Sequence, residues 1–414
     1  FAAQLPSKSV AVFTANEVMP RNGDEFYPFR QQSDFFYLTG INEENAYLII
    51  APDYPDETMR EILFIEPYDE VKATWQGEML DNTQAAELSG IKTVKGSDAF
   101  WMTLNDIVFS GYGDTIFLNS YEYPKYECAV ETIQKRFVQQ VKTKYPMHNY
   151  GRTAPILNAL RMKKSEDEIA ITQQACDITA KAFCRCLETV KPGMYEYEVQ
   201  AEIEYIFKKN NATGHAYAPI IAGGKNGCCL HYSKNQSILN NGDLLLFDIG
   251  CELKNYSSDL SRTIPINGKF SPRQADCYNA VLRVMKEITK LYRPGGTINE
   301  INETTHRLME QEIIKLGLFT AEDVKKQDPN KPLERKYLMH GMSHHIGLDV
   351  HDSIDKFKPF EPGMILTCEP GIYIREEGIG IRIENDLLIT EGEPINLFEG
   401  LPTEIEEIEA AMKK

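Results

Sequence analysis

Histidines and carboxylates in the second half of the chain occur in a pattern that could bind metal. Four of the eight histidines lie within residues 340–351, in the segment HGMSHHIGLDVH. Asp248 follows the apolar run LLLF and Glu369 follows ILTC, so each predicted strand ends in a carboxylate. A second carboxylate comes later in each case, Asp259 after the first strand and Glu384 after the second. A buried charge is costly unless it is paired or binds metal, so these four carboxylates need cations.

Their arrangement favours two divalent ions over ordinary structural roles. A returning antiparallel strand can place Asp259 beside Asp248, and likewise Glu384 beside Glu369. Oxygen-rich ligands with one imidazole suit Mn²⁺, Fe²⁺, Co²⁺ or Mg²⁺, and two such ions can activate water between them. Taken singly, Asp248 is typical of a turn former, and Arg382, two residues before Glu384, of a strand ion pair. Tyr373 by itself is typical of a core residue.

An internal repeat supplies the elements that would position these groups. VKPGMYEYEVQAEIEYIF (190–207) and YRPGGTINEINETTHRLM (292–309) are each a Pro-Gly turn followed by an amphipathic helix. GDLLLFDIG (242–250) aligns without gaps with GMILTCEPG (363–371), which pairs Asp248 with Glu369. Two matches in the same order predict a duplicated helix-and-antiparallel-sheet unit with a pseudo-twofold axis.

The N-terminal part has a different pattern. SVAVFTA, AYLIIAP and EILFIEP are short apolar runs bounded by turn residues, and polar helical segments such as DNTQAAELSG lie among them. Ser165 and Glu168 form a capping box that starts a helix ending near Lys191-Pro192-Gly193. We therefore predict an α+β protein with a smaller α/β domain at 1–155 and a catalytic domain at 160–414. The C-terminal segment LPTEIEEIEAAMKK is interpreted as a polar helical or loose tail.

Composition excludes several classes of protein. The 414 residues carry a net charge of −17, which disfavours nucleic-acid binding. No apolar run approaches the roughly 18 residues of a membrane span. The nine cysteines, Cys128 among them, include no CxxC pair, and we interpret them as reduced packing residues of a cytoplasmic protein.

Together these residues resemble the pita-bread metallopeptidases, the family of aminopeptidase P, prolidase and methionine aminopeptidase. The resemblance rests on Asp248, Asp259, His344 in GMSHHIGLDVHD, Glu369 in CEPG and Glu384 in IRIE. It implies that Asp248 chelates one metal, that Asp259 and Glu384 bridge both, and that His344 and Glu369 hold the other. Glu369 is also implied as general base on the water that bridges the two metals and becomes the attacking hydroxide.

The resemblance also implies roles for residues beside the metals. His231, His340 and His351 would line the pocket and bind the substrate, and Tyr373 and Arg382 would handle protons. His345 departs from the family pattern, which often has an aromatic residue there, and is expected to be a bystander.

The N-terminal segments narrow the expected activity. RNGDEFYPFRQQSDFFYLTGINEENAYLII (21–50) is similar to the N-terminal domain of aminopeptidase P, and VKATWQGEML (71–80) resembles its tryptophan-containing loop. The resemblance implies an Xaa-Pro aminopeptidase with two divalent ions, Mn²⁺ first and Co²⁺, Fe²⁺ or Zn²⁺ as alternatives. Its substrates would be peptides with proline second, and it would form dimers or tetramers. A prolidase restricted to Xaa-Pro dipeptides and an inactive peptide-binding protein of the same fold are the other hypotheses.

Overall fold

The structure, a computed structural model, describes residues 1–120, 122–123, 129–352, 355 and 357–413. It divides into two units, Phe1–Leu160 and Arg161–Lys414. None of the described helices is long and apolar enough to cross a membrane. Cys128 lies outside the described residues. The other eight cysteines are unpaired, and all except Cys184 and Cys229 are buried.

A twisted sheet with helices forms the first unit. Its strands are β1 (Ser9–Thr14), β2 (Pro20–Asn22), β3 (Glu25–Phe26), β4 (Tyr47–Ile50), β5 (Glu61–Ile65), β6 (Thr93–Gly96), β7 (Thr115–Leu118) and β8 (Asn149–Arg152). Its helices are α1 (Ser33–Thr39), α2 (Glu70–Gln76), α3 (Asn82–Ser89), α4 (Phe100–Phe109), α5 (Ile133–Lys144) and α6 (Ala154–Met162), which extends past Leu160. Six strands form one sheet in the order β6-β5-β4-β1-β7-β8, and β2 and β3 form a separate hairpin.

The central strand β1 shows why this unit is an α/β layer structure. Val10 and Val12 belong to one apolar cluster, and Ala11 and Phe13 belong to another. Successive side chains of a strand point to opposite faces, so both faces of the sheet are covered. The apolar runs predicted as strands are β1, β4 and β5, and the predicted helix DNTQAAELSG is α3.

The tryptophan-containing segment begins as a helix, α2, which ends at Gln76. Asp69 accepts hydrogen bonds from the backbone N–H groups of Val71 and Lys72, which starts α2. Trp75 lies in the last turn of this helix and is 83% exposed.

The second unit consists of two similar halves. The first half contains α7 (Glu166–Thr189), α8 (Glu196–Lys209), β9 (Gly214–His215), β10 (Ile220–Gly223), β11 (Leu244–Ile249), β12 (Cys251–Leu253), β13 (Tyr256–Ser257) and β14 (Leu260–Pro265). The second half contains α9 (Pro272–Thr289), α10 (Ile298–Lys315), α11 (Ala321–Lys326), β15 (Ile365–Cys368), β16 (Gly371–Ile374), β17 (Ile379–Arg382), β18 (Asn385–Leu388), β19 (Ile395–Asn396) and α12 (Ile405–Ala411). Each half packs a pair of helices beside a three-stranded antiparallel sheet, β10-β11-β14 or β15-β18-β19.

Glycines at equivalent positions of the two halves adopt the same backbone conformation. Gly193 and Gly295, which follow the two prolines, have φ of 91° and 87°. Gly242 and Gly363, which precede β11 and β15, have φ of 90° and 91°. Side-chain-bearing residues rarely adopt these values, so the aligned glycines are required by the turns. The predicted fold class, a duplicated helix-and-sheet unit with a smaller N-terminal α/β domain, is confirmed.

The C-terminal segment packs more firmly than a loose tail. Ile405 and Ile408 of α12 are buried in the main apolar cluster of the second unit. Glu409 accepts hydrogen bonds from Lys269 and from the backbone N–H of Phe270. The expectation of a polar tail overlooked the apolar spacing of this short helix.

Candidate metal centre

Two antiparallel strand pairs bring the four predicted carboxylates to one place. Asp248 lies in β11 opposite Ser261 of β14, and Asp259 directly precedes β14. Glu369 directly follows β15, and Glu384 directly precedes β18, the partner of β15. The backbone N–H of Glu384 donates to the carbonyl oxygen of Ser261 over 3.0 Å, which joins the two halves at this point.

Three of the predicted ligands already form a group of metal-binding size. Ligand atoms of Asp259, His344 and Glu384 all lie within 4.8 Å of one another. Nε2 of His344 lies 3.5 Å from Oδ2 of Asp259 and 3.7 Å from Oε1 of Glu369. Asp248 and Glu369 line the same cavity of about 340 Å³. The structure therefore brings all five predicted ligands together.

Electrostatics indicate that these carboxylates require a cation. Burial raises the pKa of Asp259 and of Glu384 well above its ordinary value, and neighbouring carboxylates raise each further. Burial also raises the pKa of Glu369, although His344 and Arg382 oppose the shift. Carboxylates that repel one another in a buried site are stabilised by divalent ions. The donors, oxygens with one imidazole, fit such ions.

Tyr217 joins two of the ligands and was missed from the sequence. Its hydroxyl oxygen lies 2.7 Å from Oδ1 of Asp248 and 2.5 Å from Oδ1 of Asp259. Burial, together with these carboxylates, raises the pKa of Tyr217 well above its ordinary value, so the phenol stays protonated and donates. Tyr217 reaches the site because β10, which begins three residues later, pairs Ile220 with Asp248. The sequence carries no signal for this pairing.

Two further residues, Asp386 and Thr367, form hydrogen bonds to the predicted ligands, and neither was identified from the sequence. The backbone N–H of Asp259 donates to Oδ2 of Asp386 over 3.0 Å. Burial raises the pKa of Asp386 to about 7. The hydroxyl of Thr367 accepts from the backbone N–H of His344 at 3.1 Å and donates to Glu369 at 3.4 Å. Thr367 lies two positions before Glu369, which the repeat singled out, whereas Asp386 lies outside the repeat and has no such signal.

Arg382 contacts three groups of the site. Its guanidinium donates to Oδ2 of Asp248 at 2.6 Å, to the hydroxyl of Ser261 at 2.8 Å and to the hydroxyl of Tyr373 at 2.8 Å. Its charge pairs with Asp248 of β11, so Arg382 does form an ion pair between strands, and its partner is one of the predicted ligands.

His340 and Tyr373 extend this chain of hydrogen bonds. Nδ1 of His340 lies 2.8 Å from the carbonyl oxygen of Gly341, which can only accept, so Nδ1 carries the proton. Nε2 then accepts from the hydroxyl of Tyr373 at 2.8 Å. Burial lowers the pKa of His340 to about 4 and raises that of Tyr373 to about 12, so both are neutral near pH 7.

The remaining histidines lie at different distances from the ligands. The rings of His344 and His351 pack edge to face with centroids 4.4 Å apart. His231 and His351 line the cavity and are exposed. His345 is buried outside the cavity lining, and its backbone forms a bridge with Leu366.

Comparison with known proteins identifies the class to which this site belongs. Residues 170–391 match the model of metallopeptidase family M24, and residues 1–117 match the model of the aminopeptidase P N-terminal domain. The chain belongs to metallopeptidase family M24. The resemblance that the motifs indicated is confirmed, and the protein is a metal-dependent peptidase.

Particular relatives extend this similarity over the whole chain. The chain is 36% identical to the Xaa-Pro aminopeptidase of Escherichia coli, over 98% of this chain and 94% of that protein. It is 29% identical to human Xaa-Pro aminopeptidase 3, over 98% of this chain and 81% of that protein. The solved structure of proline aminopeptidase P II from Yersinia pestis matches with a TM-score of 0.87 and 34% identity, over 99% and 96% of the two chains. The zinc-substituted Escherichia coli aminopeptidase P in complex with product matches equally, with a TM-score of 0.87 and 34% identity over 99% and 95%.

Proposed function

We propose that this protein releases the N-terminal residue from peptides with proline in the second position. The observation that carries the proposal is the convergence of four carboxylates and His344 on one cavity. The chain around that cavity is related over its whole length to Xaa-Pro aminopeptidases, and its N-terminal unit matches the aminopeptidase P domain.

We propose that the site holds two divalent ions, with Mn²⁺ as the first choice. Asp248 would bind one ion, His344 and Glu369 the other, and Asp259 and Glu384 both. The raised pKa values of Asp259, Glu369 and Glu384 support more than one positive charge at this position. Such ions, when bound, polarise a peptide carbonyl and lower the pKa of coordinated water.

The protein's own groups would then move protons and stabilise charge. Glu369 would take the proton of the attacking water, because its carboxylate lines the cavity beside His344 and Asp248. Tyr373 would donate its hydroxyl hydrogen to the oxyanion that develops at the substrate carbonyl, in exchange for its hydrogen bond to Nε2 of His340. Arg382 would hold Tyr373 in place through the 2.8 Å hydrogen bond between them.

The cavity wall suits an imide bond to proline. An Xaa-Pro bond has no N–H, so a site that recognises the scissile N–H cannot select it. Here the ligands are flanked by apolar side chains, Ile220, Leu230 and Val350, together with His231 and His351. We propose that the apolar side chains of this wall contact the proline ring, and that its histidines form hydrogen bonds with the polar groups of the peptide on either side of that ring.

Hydrolysis of three peptides tests the proposal. After chelation and addition of Mn²⁺, we expect free alanine from Ala-Pro-Ala and none from Ala-Ala-Ala. The Asp259→Asn variant should be inactive, since it removes a proposed bridging ligand. Cleavage of Ala-Pro alone would contradict the proposal in favour of a prolidase. Failure to cleave any of them with metal restored would favour a peptide-binding protein.

We also propose that the protein forms dimers or tetramers. Trp75, Val71 and Tyr68 are each at least 65% exposed on or beside α2, and exposed large apolar groups favour an interface. Light scattering of the protein as it leaves a size-exclusion column would measure its mass directly. A mass equal to that of one chain would contradict the proposed oligomer. The unpaired cysteines support a reducing compartment, and we propose the cytoplasm.

A further inference from the structure

A fully buried carboxylate outside the metal centre is held by neutral donors. Glu196, the first residue of α8, has no exposed surface. Its Oε1 accepts from the backbone N–H of Gly223 at 2.8 Å and from the side-chain amide of Asn226 at 2.9 Å. Its Oε2 accepts from the hydroxyl of Tyr232 at 2.7 Å and from the backbone N–H of Ser237 at 2.8 Å.

The donors come from both ends of one loop, residues 224–237. Gly223 lies directly before this loop and Ser237 ends it, and the backbone N–H of Glu196 also donates to the carbonyl oxygen of Ser237 at 3.0 Å. The loop is a short 3-10 turn, Gly224–Cys228, followed by irregular chain. One carboxylate therefore ties together a segment that has little regular structure of its own.

The same loop forms one wall of the candidate site. Leu230, His231 and Ser233 all line the cavity that contains the carboxylates and His344. His231 is exposed at this wall, so its direction depends on the loop that carries it. Glu196 lies behind the wall and is absent from the cavity lining.

Burying the carboxylate of Glu196 carries a desolvation cost that an apolar side chain in the same place would not have. Its burial must be offset by hydrogen bonds, since among the described residues no lysine or arginine forms an ion pair with it. Four donors satisfy both oxygens, and hydrogen bonds to a charged group are stronger than neutral ones. Such an arrangement fixes direction, because each oxygen accepts from one particular pair of donors.

We propose that Glu196 is a positioning residue that holds His231 against the substrate. This inference rests on the proposed function, in which His231 contacts the peptide. In the Glu196→Gln variant, the new NH₂ group must face one pair of donors. Each pair contains a backbone N–H, of Gly223 or of Ser237, so one of these two N–H groups loses its acceptor. The loop then loosens at one end while the metal ligands are untouched.

A double-mutant cycle tests this proposal. We expect Glu196→Gln and His231→Ala each to lower kcat/KM for Ala-Pro-Ala by about 10- to 100-fold, since small misplacements of a binding group have effects of this order. In the His231→Ala background, Glu196→Gln should add less than about twofold. The bound Mn²⁺ per chain should stay unchanged in both variants.

Glu198→Gln is the matched control. Glu198 lies in the same first turn of α8, and its carboxylate accepts from the backbone N–H of Tyr195 at 2.6 Å, a residue outside the loop. It should leave kcat/KM within about twofold of the wild type. If Glu196→Gln is too unstable to assay, Tyr232→Phe removes one of the four donors and should give a smaller change of the same kind.

Hydrogen exchange provides a readout that does not depend on activity. Amides of residues 224–237 should exchange faster in Glu196→Gln than in Glu198→Gln. Fully multiplicative effects on kcat/KM in the cycle, or unchanged exchange in this loop, would overturn the inference. A wild-type protein that fails to cleave Ala-Pro-Ala would overturn the proposed function instead, and the exchange measurement would still decide whether Glu196 orders the loop.

Discussion

Asp352→Asn is expected to lower the free energy of unfolding by about 3–5 kcal/mol, the usual cost of removing one partner of a buried ion pair. Asp352 has a side chain that is 2% exposed, and its carboxylate contacts Arg161 and, at 3.0 Å, Lys164. Lys164 is itself 1% exposed. Burial alone would raise the pKa of Asp352, but the two cations overcome this and hold the pKa below its ordinary value.

The asparagine side chain fits the same space but carries no charge. Arg161 keeps Asp349, at 2.6 Å, whereas Lys164 forms an ion pair with no other carboxylate in the part of the chain that the structure describes. The variant therefore leaves a buried ammonium without a counter-ion, which accounts for the size of the effect. The segment that ends at Asp352 carries His344 and His351, so kcat/KM for Ala-Pro-Ala should fall as well.

Urea unfolding of the Mn²⁺-loaded protein would measure the change. Glu287→Gln is the control, because Glu287 pairs with Lys290 at 2.8 Å with both side chains exposed. Exposed pairs contribute between about 0 and 1 kcal/mol. The reasoning would be refuted if Asp352→Asn destabilised the protein no more than Glu287→Gln does.

Three other results are expected. Tyr217→Phe should weaken Mn²⁺ binding by about 10- to 100-fold in a titration, because it frees Asp248 and Asp259, whereas Tyr205→Phe on the surface should not. After chelation of the metal, the protein should lose thermal stability as the pH rises above about 4. The folded state holds protons on Asp259, Glu369 and Glu384 more tightly than the unfolded chain does. Added Mn²⁺ should remove much of this dependence of the melting temperature on pH. Burial lowers the pKa of His306 to about 4, so unfolding free energy should fall as the pH drops from about 6.5, and urea unfolding of His306→Gln should show a shallower dependence.

The residues proposed as ligands could be recognised because their physical setting leaves a trace in the sequence. A carboxylate at the end of an apolar strand needs a cation, and the gap-free repeat placed Asp248 and Glu369 at equivalent positions. The capping box at Ser165 and the glycines at the turns were visible for the same reason, since local geometry restricts residue type. The helices and strands that these signals predicted are present.

The supporting residues could not be predicted, because each acts over a long distance in sequence. Asp386 accepts a hydrogen bond from an amide 127 positions away, and Glu196 binds groups up to 41 positions away. Neither residue lies in a pattern that differs from an ordinary amphipathic helix or strand. The prediction for the tail was right about the helix and wrong about its packing, because Ile405 and Ile408 are buried among charged neighbours.

The site itself is the junction between the two halves of the duplicated unit. The backbone N–H of Glu384 donates to the carbonyl oxygen of Ser261, and the guanidinium of Arg262 donates to the carbonyl oxygen of Glu384. The backbone N–H of Asp259 donates to the carboxylate of Asp386. Each half therefore supplies the groups that orient the carboxylates of the other. A repeat in the sequence can reveal which residues are equivalent, but these cross-contacts arise only when both copies fold together. For this reason the residues proposed as ligands could be named from the sequence, whereas their distances, partners and pKa shifts required the structure.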